Sequence, residues 1–158
     1  MSLYSVVVPV YNSEHTLDEL YRRLSDVFDH VLKRDFELLL VDDGSKDKSW
    51  EIMKKLRAKD SRVKLFQMSR NFGQHPALLC GFHYVKGDFV ITMDDDLQHP
   101  PEELPKMISV MDARDDVDVI LARYEGRKHS WIRKLGTRLS VYATSKMLKK
   151  DPDLEITS

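Results

Sequence analysis

Asp94-Asp95-Asp96-Leu97-Gln98 is the densest concentration of chemistry in this sequence. The run follows the apolar stretch Phe89-Val90-Ile91-Thr92-Met93 and precedes Pro100-Pro101-Glu102-Glu103. Side chains two apart on a strand project to the same side, so a strand running on through Met93 would aim Asp94 and Asp96 at one point. Carboxylates this close repel unless a cation sits among them. Asp94, Asp96 and the Gln98 amide offer hard oxygen ligands, which suit Mg²⁺ or Mn²⁺. Such a cation grips phosphate oxygens, so the implied chemistry is that of a phosphorylated, nucleotide-linked substrate. Carboxylates also favour helix starts, but three consecutive aspartates exceed what capping needs.

Other clusters are less specific alone. Asp42-Asp43-Gly44-Ser45 could accept hydrogen bonds from a base or ribose, or could simply make a turn. Arg70, within Ser69-Arg70-Asn71-Phe72-Gly73-Gln74, could present a fork of donors to a phosphate or base, or lie on the surface. Tyr11, in Pro9-Val10-Tyr11-Asn12, is either a stacking platform or a core-edge aromatic. His75, His83, His99 and His129 show no ligand spacing on a shared helix face and read as structural or surface histidines. Cys80, the only cysteine, excludes an intramolecular disulfide and reads as core. The dinucleotide, P-loop, zinc-protease and serine-hydrolase signatures are absent.

The elements that must position these residues alternate between strand and helix. Strands are expected over Leu3 to Val10, Phe36 to Val41, Val63 to Met68, Asp88 to Met93 and Val117 to Ala122. Helical spacing of apolar residues marks Leu17 to Val31, Asp47 to Lys59, Gln74 to Val85, Pro101 to Met111 and a long basic helix from Ser130 to Leu148. This alternation predicts an α/β fold with a mainly parallel sheet and helices on both faces. Such sheets bind ligands beyond the carboxyl ends of their strands. Tyr11, Asp42, Arg70, Asp94 and Arg123 all follow expected strands, so the chemical residues should gather along one sheet edge.

At 158 residues the chain is long enough for one domain with a real core. No apolar run approaches the roughly 18 residues of a spanning helix. The net charge of −1 hides an asymmetry. Residues 1–122 carry 16 Lys/Arg against 22 Asp/Glu, whereas residues 123–158 carry 9 against 4. An acidic metal site followed by a basic tail facing phosphate or an anionic membrane fits this pattern, as do two solvated faces. The helix 130–148 reads either as packed on the sheet with snorkelling basic side chains or as lying at a membrane surface. Nothing points to a nucleic-acid partner.

Together, Pro9-Val10-Tyr11-Asn12, Val41-Asp42-Asp43-Gly44-Ser45, Arg70-Asn71-Phe72-Gly73-Gln74 and the run Met93 to Glu102 resemble the family 2 glycosyltransferases. The likeness is to the branch that transfers sugars to polyprenyl phosphate, which includes dolichyl-phosphate mannose synthase-like and undecaprenyl-phosphate enzymes. It implies a Rossmann-like GT-A fold, a nucleotide-sugar donor, a lipid-phosphate acceptor, Mg²⁺ or Mn²⁺, and inverting hexosyl transfer at the cytoplasmic face of a membrane. It further implies that Pro9, Tyr11, Asn12, Asp42 and Arg70 line the nucleotide pocket. Asp94 and Asp95 would face the nucleoside and metal side, and Asp96 and Gln98 would hold the metal at the diphosphate. Arg123, Arg127 and Arg133 would meet donor or acceptor phosphates. In that branch a further segment and membrane helices commonly follow, so residues 1–158 are expected to be the catalytic front of a longer protein.

Two rival readings remain at this stage. A polysaccharide- or protein-decorating transferase would use a sugar hydroxyl as acceptor and would need a carboxylate base that the sequence does not single out. A Mg²⁺-binding receiver-type signalling domain would place its acidic pair after the first strand, whereas Asp42-Asp43 follows the second.

Overall fold

The computed structural model of the chain describes residues 2–114 and 116–122. The apolar run Tyr4–Val10 forms β1, and Phe36–Asp42 forms β2, each buried along its whole length. Val63–Gln67 forms β3 and Phe89–Thr92 forms β4. All pairings are parallel, and the order is β3-β2-β1-β4. The two fully buried strands therefore take the centre, as expected for a sheet covered on both faces.

One face carries the main core. Val6, Val8 and Val10 of β1 and Leu38 and Leu40 of β2 meet the buried stripe of α1 (Leu17–Asp26), with Met53 and Leu56 of α2 (Ser49–Lys59) and Leu104 and Ile108 of α4 (Leu104–Asp112). The apolar periodicity expected to run as one helix to Val31 instead divides. After Asp26 the chain widens into a π-helical segment, Val27–Leu32, which keeps Val27 and Phe28 buried and ends at Lys33 in left-handed conformation. Phe28 stacks on Phe36 with ring centroids 4.6 Å apart.

The other face is covered by α3 (Gln74–Phe82). Gly81 lets this helix lie directly on the strands: a Cβ there would sit 2.4 Å from Val7 Cγ1 and 3.3 Å from Val41 Cγ2. The helix stops short of the expected Val85 because the chain is captured below it. The Lys86 and Gly87 amides donate to the buried Glu37 carboxylate and Ser5 hydroxyl at 2.7 and 2.8 Å, which turns the backbone into β4.

Two further expectations are corrected. Val117 to Ala122 is not a strand: it joins no ladder among the described residues, and Val119 and Leu121 are 71% and 85% exposed. A β-branched run becomes a strand only where a neighbour takes up its backbone groups. The helix expected from Pro101 begins as a 3-10 turn, Pro101–Glu103, whose Glu102 forms a two-pronged pair with Arg23 of α1. The basic helix expected at 130–148 and Arg123, Arg127 and Arg133 lie outside the described residues. No helix among the described residues is long and apolar enough to cross a membrane.

Candidate active site

The parallel arrangement brings the carboxyl ends of β1, β2 and β4 together, and the loops leaving them are tied by side chains. Asn12, just past β1, adopts a left-handed conformation. Its Oδ1 accepts the Lys46 amide at 2.8 Å, and its own amide donates to Ser45 Oγ at 3.0 Å. The turn after β1 is thereby laced to the Asp42-Asp43-Gly44-Ser45 turn after β2.

The two aspartates of that turn have different tasks. Asp42 is fully buried; its oxygens accept the Ser45 amide at 3.0 Å and Gln67 Nε2 at 3.1 Å. Asp43 accepts the amides of Phe72 and Gly73, each at 2.8 Å, and so anchors the loop that leads into α3. Gly44 makes the close approach feasible. It has φ of 74°, and a Cβ there would lie 2.8 Å from the backbone of Arg70 and Asn71.

The aspartate triplet does not sit on β4, which ends at Thr92; it occupies the turn beyond. Strand alternation therefore does not aim Asp94 and Asp96. Each carboxylate of the triplet has its own partner instead. Asp94 Oδ1 accepts Gln74 Nε2 at 2.6 Å. Asp95 Oδ2 accepts the Tyr11 amide at 3.0 Å and lies against the Ser13 hydroxyl. Asp96 Oδ1 accepts the Gln98 amide at 2.9 Å, and Leu97 between them turns left-handed. Burial pushes the Asp95 carboxyl above the usual carboxylate range, with the Ser13 and Tyr11 hydrogen bonds opposing and the Asp96 charge adding to the rise.

Two cavities open here and share Tyr11 and Asn71. One, of about 320 Å³, is lined by Pro9, Gln74 and four carboxylates, Asp43, Asp94, Asp95 and Asp96. The other, of about 720 Å³, is lined by Ser45, Lys46, Gln67 and Arg70. Arg70 is held over the Phe72 ring, 4.8 Å from its centroid. An acidic lobe beside a lobe carrying two cations suits a phosphorylated ligand whose negative charge meets Lys46 and Arg70 and whose bound cation faces the carboxylates.

Of the residues the sequence singled out, Pro9, Tyr11, Arg70, Asp94, Asp95 and Asp96 line these cavities. Asn12 and Asp42 stand behind the lining and fix Lys46, Ser45 and Gln67. Gln98 is not among the lining residues of either cavity; its backbone amide braces Asp96. Sequence reasoning gave no role to Gln74, Asn71 or Lys46, and offered Asp43 only together with Asp42 as an acceptor for a base or ribose. Asp43 and Gln74 stood inside motifs already marked, but only the fold reveals which way they turn.

Among the described residues no three His, Cys, Asp or Glu side chains converge on a metal-sized point. Asp95 is committed to the loop after β1. Asp94 and Asp96 both line the acidic cavity, and Asp94 Oδ2 lies 4.0 Å from His99 Nε2. One or two carboxylates completed by substrate phosphates and water is the usual arrangement for Mg²⁺, so the residues fit a cation that arrives with its phosphate ligand.

Over residues 5–157 the sequence matches the family model described as "Glycosyl transferase family 2". The undecaprenyl-phosphate 4-deoxy-4-formamido-L-arabinose transferase of Edwardsiella ictaluri (strain 93-146) is 43% identical over 136 residues. That alignment takes in 85% of this chain and 41% of the relative, so the chain spans about two-fifths the length of that curated protein. Among solved structures, TarS 1-349 from S. aureus matches with a TM-score of 0.65 at 30% identity, covering 82% of this chain and 37% of that one. The same fragment in complex with UDP-GlcNAc matches with a TM-score of 0.59 at 26% identity, over 80% and 39% of the two chains. Glucosyl-3-phosphoglycerate synthase from Mycobacterium tuberculosis, at 24% identity, a TM-score of 0.64 and 90% and 50% coverage, shares the fold. That fold is GT-A.

Proposed function

The chain belongs to glycosyl transferase family 2, and on that premise we propose that it transfers a hexosyl group from a nucleotide-diphosphate sugar to polyprenyl phosphate, with Mg²⁺ or Mn²⁺ at the donor diphosphate. The observation that carries this reading is the pair of neighbouring cavities at the carboxyl ends of the four strands, one acidic and one bearing Lys46 and Arg70. The UDP-GlcNAc complex of TarS supports a nucleotide-sugar donor, and the relative named for undecaprenyl phosphate supports the lipid acceptor.

Asp94 and Asp96 would hold the cation, with Gln98 bracing Asp96 through its backbone. When bound, the cation draws negative charge from the departing diphosphate. Tyr11, 44% exposed where the cavities meet, offers its ring face to the base. Pro9 lines the acidic cavity beside it. Asp42 and Asn12 preorganise the loop that carries Ser45 and Lys46. Arg70 contributes a guanidinium whose charge stabilises phosphate without reorganising during the reaction.

In the transfer, an oxygen of the acceptor phosphate bonds to the anomeric carbon on the face opposite the leaving group. The bond from that carbon to the diphosphate oxygen breaks, and its electron pair leaves with the nucleoside diphosphate. The acceptor is already anionic, so no side chain needs to take a proton from it, unlike a sugar hydroxyl. Arg123, Arg127 and Arg133 are proposed on sequence grounds to meet donor or acceptor phosphates. With the basic segment 130–148 they would place the reaction at the cytoplasmic face of a membrane.

The test is thermal unfolding of the protein with Mn²⁺ and, in turn, UDP, GDP, CDP, ADP or acetyl phosphate. A ligand at 100 times its Kd should add about 2.7 kcal/mol of stability. Stabilisation by one nucleoside diphosphate, dependent on Mn²⁺, is expected. A response to acetyl phosphate alone would identify a receiver-type domain, and no response to any nucleotide would overturn the donor assignment. Transfer by the full-length protein to a sugar hydroxyl but not to polyprenyl phosphate would overturn the acceptor assignment.

A further inference from the structure

We propose that Gln74 is a positioning residue that sets the Asp94 carboxylate for the cation, an inference that rests on the metal-and-donor reading above. β4 ends at Thr92, and the last sheet-like bond on this segment is that of the Met93 amide to Val7 O at 3.1 Å. Asp94 therefore lies beyond the ladder, with its side chain 41% exposed. A carboxylate on a short exposed turn samples several rotamers unless something holds it. The hold comes from across the cavity. Gln74 Nε2 donates to Asp94 Oδ1 at 2.6 Å, from 20 residues earlier in the chain.

Gln74 can do this because its own backbone is fixed. It is the first residue of α3, and the two residues before it, Phe72 and Gly73, give their amides to the buried Asp43 carboxylate. A short chain of contacts thus runs from the end of β2 through Asp43 to the start of α3, and through the Gln74 amide to the triplet.

The chemistry of the side chain matters as much as its reach. The cavity already gathers four carboxylates. A lysine or arginine at position 74 would neutralise Asp94 and compete with a cation, and a carboxylate would repel it. A neutral amide donor occupies Oδ1 without cancelling the negative charge, which extends to Oδ2, 4.0 Å from His99 Nε2. Hydrogen-bond partners of this kind behind a metal ligand contribute about 10- to 100-fold in affinity.

The experiment is a titration of the protein with Mn²⁺ in the presence of UDP or GDP, against a protein-free blank, reading free Mn²⁺ by its electron paramagnetic resonance signal and melting temperature by circular dichroism. Wild type is compared with Gln74→Leu and with His75→Leu, a change at the neighbouring exposed helix position. Gln74→Met, of equal length, serves if the leucine variant fails to fold. The expected result is a roughly tenfold weaker Mn²⁺ affinity for the Gln74 variant, with His75→Leu like wild type and all three melting alike. Unchanged affinity in the Gln74 variant, or an equal loss in His75→Leu, would overturn the positioning role. Absence of Mn²⁺ binding in the wild type with either nucleotide would instead overturn the metal reading beneath it.

Discussion

Asp95 accepts the backbone amide of Tyr11 at 3.0 Å across 84 residues of sequence. One bond therefore joins the end of β1 to the turn after β4, and with it the aromatic shared by both cavities to the acidic cluster. Asp95→Ala would remove the acceptor of the Tyr11 amide and leave the Ser13 hydroxyl only the Tyr11 carbonyl, a loss of about 1–3 kcal/mol for the two bonds to a charged acceptor. Asp95→Asn keeps an acceptor oxygen and should retain most of the stability. Urea denaturation of the two variants checks this order, and equal losses would show that the contact carries no weight.

Asp43 serves the loop after β3 in the same manner, with one oxygen for each of the Phe72 and Gly73 amides. An asparagine has only one acceptor oxygen, so Asp43→Asn must release one amide. Hydrogen exchange at Phe72 or Gly73 should accelerate at least tenfold, which corresponds to about 1.4 kcal/mol. Exchange at wild-type rates would mean that the loop is held by other contacts.

Gly81 is predicted to be intolerant of substitution. The Cβ of Gly81→Ala would press on Val7 of the central strand, whose side chain is fully buried. Overpacking of this sort costs about 1–3 kcal/mol. Because α3 begins at Gln74, the variant should also weaken Mn²⁺ binding. A stability equal to wild type would contradict the close packing of α3 on the sheet.

Acid sensitivity should come in part from Asp60. Hydrogen bonds from Arg62 hold its carboxyl below the usual range; burial opposes this, and the Arg62 amide and the Tyr21 hydroxyl add to the lowering. Arg62 is shared with Asp29. The sign follows from the direction of the shift. The folded state releases this proton more readily than the unfolded chain, so the contribution is present above the unfolded pKa and is lost as pH falls through the folded one. Asp60→Asn should therefore be less stable than wild type at neutral pH, by about 1–3 kcal/mol, and the gap should narrow below about pH 4. A gap independent of pH would remove Asp60 from the acid response.

Much of this architecture was legible in the sequence because parallel strands announce themselves. Tyr4–Val10 and Phe36–Asp42 are buried along their whole length and read as mainly apolar runs, broken only by Ser5, Glu37 and Asp42. The gathering of polar residues at one sheet edge followed from the alternation of elements alone. What the sequence concealed depends on tertiary partners. Val117 to Ala122 has the composition of a strand but no ladder among the described residues. Asp42 and Asp43 are indistinguishable as letters, yet one turns toward Gln67 and the other toward Phe72. The triplet looked like the continuation of a strand, but it lies on a turn in which each carboxylate has its own brace. Gln74 was visible only as part of a motif, since nothing local to it signals a bond to Asp94.

The most direct measurement of the central claim is calorimetry of the nucleoside diphosphate that stabilises the protein, titrated with and without Mn²⁺ into wild type and Asp96→Ala. The account predicts Mn²⁺-dependent binding in the wild type and its loss in a variant that still folds with the same circular dichroism spectrum. Affinity unchanged by Asp96→Ala, or wild-type binding indifferent to Mn²⁺, would contradict it.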